Sequence, residues 1–221
     1  SETTSVDPEE GWTLDDDATI GTQGYYAQNG GGSSTKLMDS SSNPTTFVWE
    51  FDYFKGSGSG VETNNAAAEG IQIATAGGDM NASCQGGGMP SDDKCIIVLH
   101  RGGGSGGGCG GTCITSFGFN GGYGGQPETW FHIQDQIDWD TWGYYRIVLD
   151  SSGVVTMTIY PTDDDRTAES NALMSGSTTM HSNFFGGDSF EYVTPTTYHS
   201  GIGWNFKLDN IKYWHNVETP T

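Results

Sequence analysis

Apolar and polar residues alternate at every second position along much of the chain. TFVWEFDYF (46–54) sets Phe47, Trp49, Phe51 and Tyr53 on one face and Val48, Glu50, Asp52 and Phe54 on the other, the period of a β-strand. GIQIAT (70–75), KCIIVLHR (94–101), CITSFGF (113–119), TWFHIQDQI (129–137) and FEYVT (190–194) read the same way. WGYYRIVLD and VVTMTIYPT flank Ser151-Ser152-Gly153, a hairpin signal with Gly where positive φ is needed. GYYAQ (24–28), STKLMD (34–39) and the opening stretch add weaker strands, and GIGWNFKLDNIKYWH (201–215) adds a long final one. Within the last, Phe206 and Leu208 change face to Ile211 and Tyr213 around Asp209-Asn210, as a β-bulge allows. Helical periodicity is nearly absent: NNAAAEG (64–70) is the only helix-like phrase. Strands joined by polar, Gly-rich segments, without crossover helices, predict an all-β antiparallel sandwich or barrel and exclude a parallel α/β fold.

No composition shift divides the chain, so residues 1–221 are expected to form one β-sandwich domain, with 1–20 an N-terminal arm and first strand. The 35 glycines fall mostly in runs without a G-x-y period, which marks long loops and not collagen. GGGSGGGCGGTC, within 102–113, is flanked by strands and pinned by cysteines, so it reads as a surface loop.

A net charge of −20, with five Lys and three Arg, repels phosphate backbones and anionic headgroups. No nucleic-acid partner is expected. No apolar run reaches the roughly 18 residues of a membrane span, so membrane insertion is not expected either. SETTSVDPEEG reads as a mature N-terminus left by processing. Cys84, Cys95, Cys109 and Cys113 permit three pairings; Cys84–Cys95 and Cys109–Cys113 are favoured because each brackets a short Gly-rich segment. A zinc site is the alternative, although the spacings fit no common finger. Disulfides point to a secreted or cell-surface protein. Asn81-Ala-Ser83 is a sequon that would be glycosylated in a eukaryotic source.

FVWEFDYF, the hairpin WGYYRIVLDSSGVVTMTIY and the closing WNFKLDNIKYW together resemble the concanavalin A-like lectin/glucanase superfamily. The ending also resembles jelly-roll carbohydrate-binding modules. The resemblance implies a jelly-roll sandwich with long Gly-rich loops. It also implies a structural calcium held by Asp209 with acidic residues near the N-terminus, for which Glu9, Glu10 and Asp15-Asp16-Asp17 are available. Without a metal, Asp209 would accept loop amides. Retaining glucanases of the superfamily use E-x-D-x-x-E, but here Glu50 and Asp52 are followed by Lys55, which breaks the carboxylate pair. Lyases of this sandwich class carry Q-x-H; this chain has His132-x-Gln134, with His100, Arg101 and Tyr53 as further residues of the right type. TDDDRT (162–167) reads as a solvated turn.

Trp139, Trp142 and Tyr144, with Tyr123 in a Gly-rich loop, are candidate sugar-stacking rings, with nearby Asp and Asn to bind hydroxyls; the competing reading places Trp130 and Trp142 in the core. The combined expectation is non-catalytic binding of carbohydrate or glycoconjugate. A self-assembling surface, filament or virion protein, forming a homo-oligomer or polymer, is the alternative. A polysaccharide lyase or glycoside hydrolase is third.

Overall fold

A computed structural model describes residues 45–63, 68–75, 94–102, 113–120, 129–185, 190, 192–198 and 205–215, and the backbone of strands at 2–5, 13–14, 18–21, 24–28 and 34–37. Glu9, Glu10, Asp15, Asp16, Asp17, Asn81, Cys84, Cys109 and Tyr123 lie outside the described residues.

Two antiparallel sheets face one another. The eight-stranded sheet runs in the order β13 (Met174–Thr179), β12 (Val154–Tyr160), β11 (Thr141–Leu149), β6 (Phe47–Lys55), β15 (Asn205–His215), β4 (Gly24–Gln28) and β3 (Ala18–Gly21), with β1 (Glu2–Ser5) also paired to β15. The seven-stranded sheet runs β10 (Thr129–Gln134), β9 (Cys113–Asn120), β8 (Cys95–Gly102), β7 (Ala68–Ala74), β14 (Tyr192–Tyr198), β5 (Ser34–Leu37) and β2 (Thr13–Leu14). Two short α-helices, α1 (Gly60–Thr63) and α2 (Asp163–Thr167), and a 3-10 turn at Ser182–Phe185 complete the regular structure of the described residues. Among the described residues no helix is long and apolar enough to cross a membrane.

The alternation of β6 is what makes it central. Phe47, Trp49, Phe51 and Tyr53 enter the core between the sheets, where they meet Tyr145, Ile147 and Leu149 of β11 and Ile96, Val98, Phe117 and Phe119 of the facing sheet. Phe51 stacks on Tyr145 with centroids 4.7 Å apart. The hairpin after Leu149 turns through Gly153 at φ 82°, with Asp150 Oδ1 accepting the Ser152 and Val154 amides. β15 carries the expected bulge: its register with β6 shifts between Asp209 and Lys212, and Asn210 sits at φ 49°. That single left-handed residue lets Phe206, Leu208, Ile211 and Tyr213 all reach the core.

Three local expectations are corrected. Residues 162–167 are not a solvated turn: Thr162 caps α2, its hydroxyl accepting the Asp165 amide, and Arg166 is buried. Strand β10 stops at Gln134 and does not continue to 137: one more ladder bond, Asp135 N to Cys113 O at 2.8 Å, follows, and the Asp135 carboxylate then takes the Ile137 amide at 2.8 Å and turns the chain. The helix-like phrase at 64–70 supplies the start of β7 from Ala68 onward. The sequence reading also lacked β13, an edge strand (MSGSTT) with too few apolar residues to alternate.

Candidate functional site

Inward-facing polar residues gather at one end of the core. Lys55, last in β6, projects inward and its Nζ donates to Asp135 Oδ2 (2.7 Å) and to Ile137 O (2.7 Å). His100 Nε2 contacts the same Asp135 oxygen. Tyr53 Oη donates to Glu69 Oε1 (2.5 Å), and Ser59 Oγ to Glu69 Oε2 (2.6 Å). Tyr53 and His100 lie ring to ring at 5.4 Å, and the Lys55 ammonium sits 4.3 Å from the centre of the Trp139 ring. All of these groups except Trp139 are buried.

The charges inside this network follow from their neighbours. Burial alone would raise the pKa of Asp135, but His100 and Lys55 outweigh it and hold the carboxyl down at about 2. Glu69 is pushed up, first by burial, despite hydrogen bonds from Ser59 and Tyr53. Burial, and then the Glu69 carboxylate, drives the Tyr53 phenol well above its usual value. A phenol so disfavoured as an anion, with its proton already committed to Glu69, is a poor general base.

His100, Cys113 and Asp135 bring three metal-ligating atoms within 4.8 Å of one another. They do not suit a divalent cation. Cys113 is disulfide-bonded and offers no thiolate, and Asp135 already carries the Lys55 ammonium. Calcium would moreover want six to eight oxygens. Cys95, also disulfide-bonded, stands opposite Asn120 in the register whereas Cys113 stands opposite Gly102, so the two occupy opposite ends of the β8–β9 pair.

The outer face of the eight-stranded sheet holds the carboxylates that a glucanase would use. Each is already spent on an arginine. Arg146 Nη1 pairs with Glu50, and its Nη2 reaches Glu169 at 3.1 Å. Arg166, dropped from α2 onto the sheet, places Nη1 2.8 Å from Asp52 Oδ1 and Nη2 2.6 Å from Asp163 Oδ1. Its Nη1 also donates to Phe51 O (3.3 Å) and Tyr145 O (3.4 Å). Asn210 Nδ2, aimed by the bulge, donates to Asp52 Oδ2 at 2.6 Å. Desolvation is the largest influence on Asp52 and lifts its pKa to about 6, with Asn210 and Arg166 opposing it. Lys55 points to the opposite side of the sheet, so the three positions 50, 52 and 55 do not share a face. Asp209 Oδ1 accepts the Asn210 amide at 2.8 Å.

The candidate stacking rings are separated. Trp142 packs on Phe54 at 5.4 Å and Tyr144 lies 5.6 Å from the Arg166 guanidinium, both on this outer face. Trp139 packs against the core. The lyase candidates are split as well: Tyr53 and His100 face inward, whereas Arg101, His132 and Gln134 face outward.

That second outer face belongs to the seven-stranded sheet, and its cross-strand rows are regular. Arg101, Ile114 and Gln134 form one row, Leu99, Ser116 and His132 the next, Ile97, Gly118 and Trp130 the third. A β-carbon on Gly118 would fall 2.3 Å from Trp130 Cζ3, so the indole lies directly on the glycine backbone. Arg101 reaches across the middle row to put its guanidinium carbon 5.4 Å from the Trp130 ring centre. Burial pulls the Arg101 pKa down. His132 and Gln134 are exposed beside this pair, and Ser116 Oγ, in the row between, is buried without a hydrogen-bond partner. Trp130, which the competing sequence reading placed in the core, is half-buried and packs against a second cluster on this face made by Ala68, Ala74, Cys95, Ile97 and Leu99; Gly118 opposite it leaves room for the ring. Elsewhere, Phe185, 39% exposed, is the one large hydrophobic that the described residues expose, so no apolar face suited to assembly occurs among them.

No protein-family model matches the sequence, and no curated protein matches it. Solved structures do match in shape. The exoplasmic/lumenal domain of VIP36, in its Ca2+/Man3GlcNAc-bound form, is 9% identical, with 100% of this chain and 93% of that one covered and a TM-score of 0.64. The Lotus tetragonolobus seed lectin is 11% identical over 98% and 100% of the two chains at a TM-score of 0.61. A legume lectin-like domain from Entamoeba histolytica is 12% identical over 94% and 91% at 0.59. With its two facing antiparallel sheets matched over nearly the full length of these lectins, the chain has the concanavalin A-like lectin fold.

Proposed function

We propose that the domain binds carbohydrate without cleaving it, on the outer face of the seven-stranded sheet where β8, β9 and β10 meet. The observation that carries this reading is the Trp130 indole seated against Gly118 with His132 and Gln134 exposed along the same strand face. The part of the half-buried indole left accessible beside the Arg101 guanidinium can meet sugar C–H groups, while imidazole and carboxamide take hydroxyls. Solved structures of the same fold include a lectin complexed with galactose and another in complex with the methyl glycoside of α-L-fucose, which makes sugar the first ligand class to try. The buried state of His100 and Tyr53 and the arginine pairing of Glu50 and Asp52 favour binding over catalysis.

A secreted or cell-surface setting belongs to the same reading, supported by the disulfide-bonded state of Cys95 and Cys113. So does a structural calcium at Asp209, with Glu9 and Glu10 as further ligands; a Ca2+-bound form of VIP36 supports it.

A glycan array probed with and without calcium tests the reading, alongside the variants Trp130→Ala and Gly118→Ala. Binding of at least one glycan, weakened tenfold or more by either substitution, is the expected result. An array blank under both conditions sinks the proposal.

A further inference from the structure

We propose that this face selects saccharides bearing an anionic group, a carboxylate or a sulfate ester, with Arg101 as the group that reads the charge. The inference rests on the carbohydrate reading above and adds the ligand's chemistry to it.

In a chain of net charge −20, Lys55, Arg146 and Arg166 each meet carboxylates. Arg101 meets none among the described residues; its guanidinium has only the Trp130 ring. A half-buried arginine that has shed water without gaining an anion retains unused donors in a fixed fork, the geometry that matches a carboxylate or sulfate. Its place in the fold sets what else the ligand meets. Gln134 lies two strands away in the same row as Arg101, about 10 Å across at the usual strand spacing. The middle row supplies the exposed His132; Leu99 and Ser116 beside it are buried. Arg101 and Trp130 thus form one contiguous patch, guanidinium against indole, with the exposed His132 and Gln134 beside it, so a charged group and a sugar ring would be met at the same place. The general negative charge of the chain repels long polyanions, so a short or sparsely charged saccharide suits the patch.

Isothermal titration calorimetry with three probes decides it: digalacturonate, a monosulfated galactobiose and neutral galactobiose. The native chain should bind a charged probe at least tenfold more tightly than galactobiose, with the two charged arms telling carboxylate from sulfate. Arg101→Gln should abolish that preference, a loss of about 10- to 100-fold for the charged probe measured relative to galactobiose on the same variant. Arg101→Lys should fall between, because it keeps charge but not the fork. A thermal melt of each variant establishes that it is folded, and Lys212→Gln, on the other sheet, should leave all three affinities unchanged. Equal affinity for charged and neutral probes, or a charge preference that survives Arg101→Gln, overturns the assignment to Arg101 while leaving the carbohydrate reading intact. Failure of every probe, together with a blank array, removes both.

Discussion

At the residue scale, two buried carboxylates of opposite behaviour stand out. Asp135 has a folded pKa of about 2, below its usual 3.8. Its stabilisation is therefore complete above the unfolded value and is lost as the pH falls through about 2. Asp135→Asn, which leaves the Lys55 ammonium buried without its counter-charge, should cost about 3 kcal/mol at neutral pH, read from urea denaturation. Asp52 runs the other way, with its pKa raised from 3.8 to about 6. The folded state then holds the proton longer than the unfolded chain, so Asp52 makes stability decline as the pH rises between about 4 and 6, by up to about 3 kcal/mol. Stability curves of Asp52→Asn and the native chain across that window check the sign: the decline should flatten in the variant. Neither behaviour was visible in the sequence, where Glu50 and Asp52 looked like half of a catalytic motif. Asp135 is held down by His100 and Lys55, and Asp52 is lifted by burial against the opposing Asn210 and Arg166, neighbours that only the fold brings together.

At the element scale, α2 shows how a short helix can be held by one side chain. Its five residues cannot sustain a helix by propensity. The Thr162 cap and the Arg166 clasp onto β6 and β11 hold it in place. Arg166→Met should destabilise the fold by about 3–5 kcal/mol, since it strands Asp52 under the helix. The double variant Asp52→Leu/Arg166→Met should recover most of that loss by replacing a buried ion pair with apolar packing. A denaturation double-mutant cycle separates the two terms, and additive losses would show that the pair does not act as one unit. β10 teaches a related lesson. Its strand pattern continues in sequence through Ile137, yet the chain leaves the sheet after Gln134 to carry Asp135 to Lys55 and His100. A tertiary ion network overrode a local period.

At the scale of the molecule, the sandwich closes through the β15–β6 pairing, and the bulge at Asn210 keeps both halves of β15 in register with the core. The structural calcium proposed for Asp209 is a property of this scale, because its ligands would tie the N-terminal arm to the closing strand. Thermal melts with calcium and with EDTA check it. A bound ion at a hundred times its dissociation constant adds about 2.7 kcal/mol, so melting temperatures that coincide would remove the metal from the account.

The sequence by itself determined the class of fold. Period-two alternation at 46–54, 141–149 and 154–160 allows only strands, and the Gly-rich joints allow only antiparallel connections of the kind observed. It also located the bulge, because four apolar residues around Asp209-Asn210 can share one core only if the chain skips a position. Which polar residues meet was settled by tertiary structure alone. Lys55, His100 and Asp135 come from three separate strands or turns, and Arg101 faces away from His100 although adjacent to it. Alternation assigns a side chain to a face but not to a neighbour across the sheet, and burial, ion pairing and ring stacking depend on that neighbour.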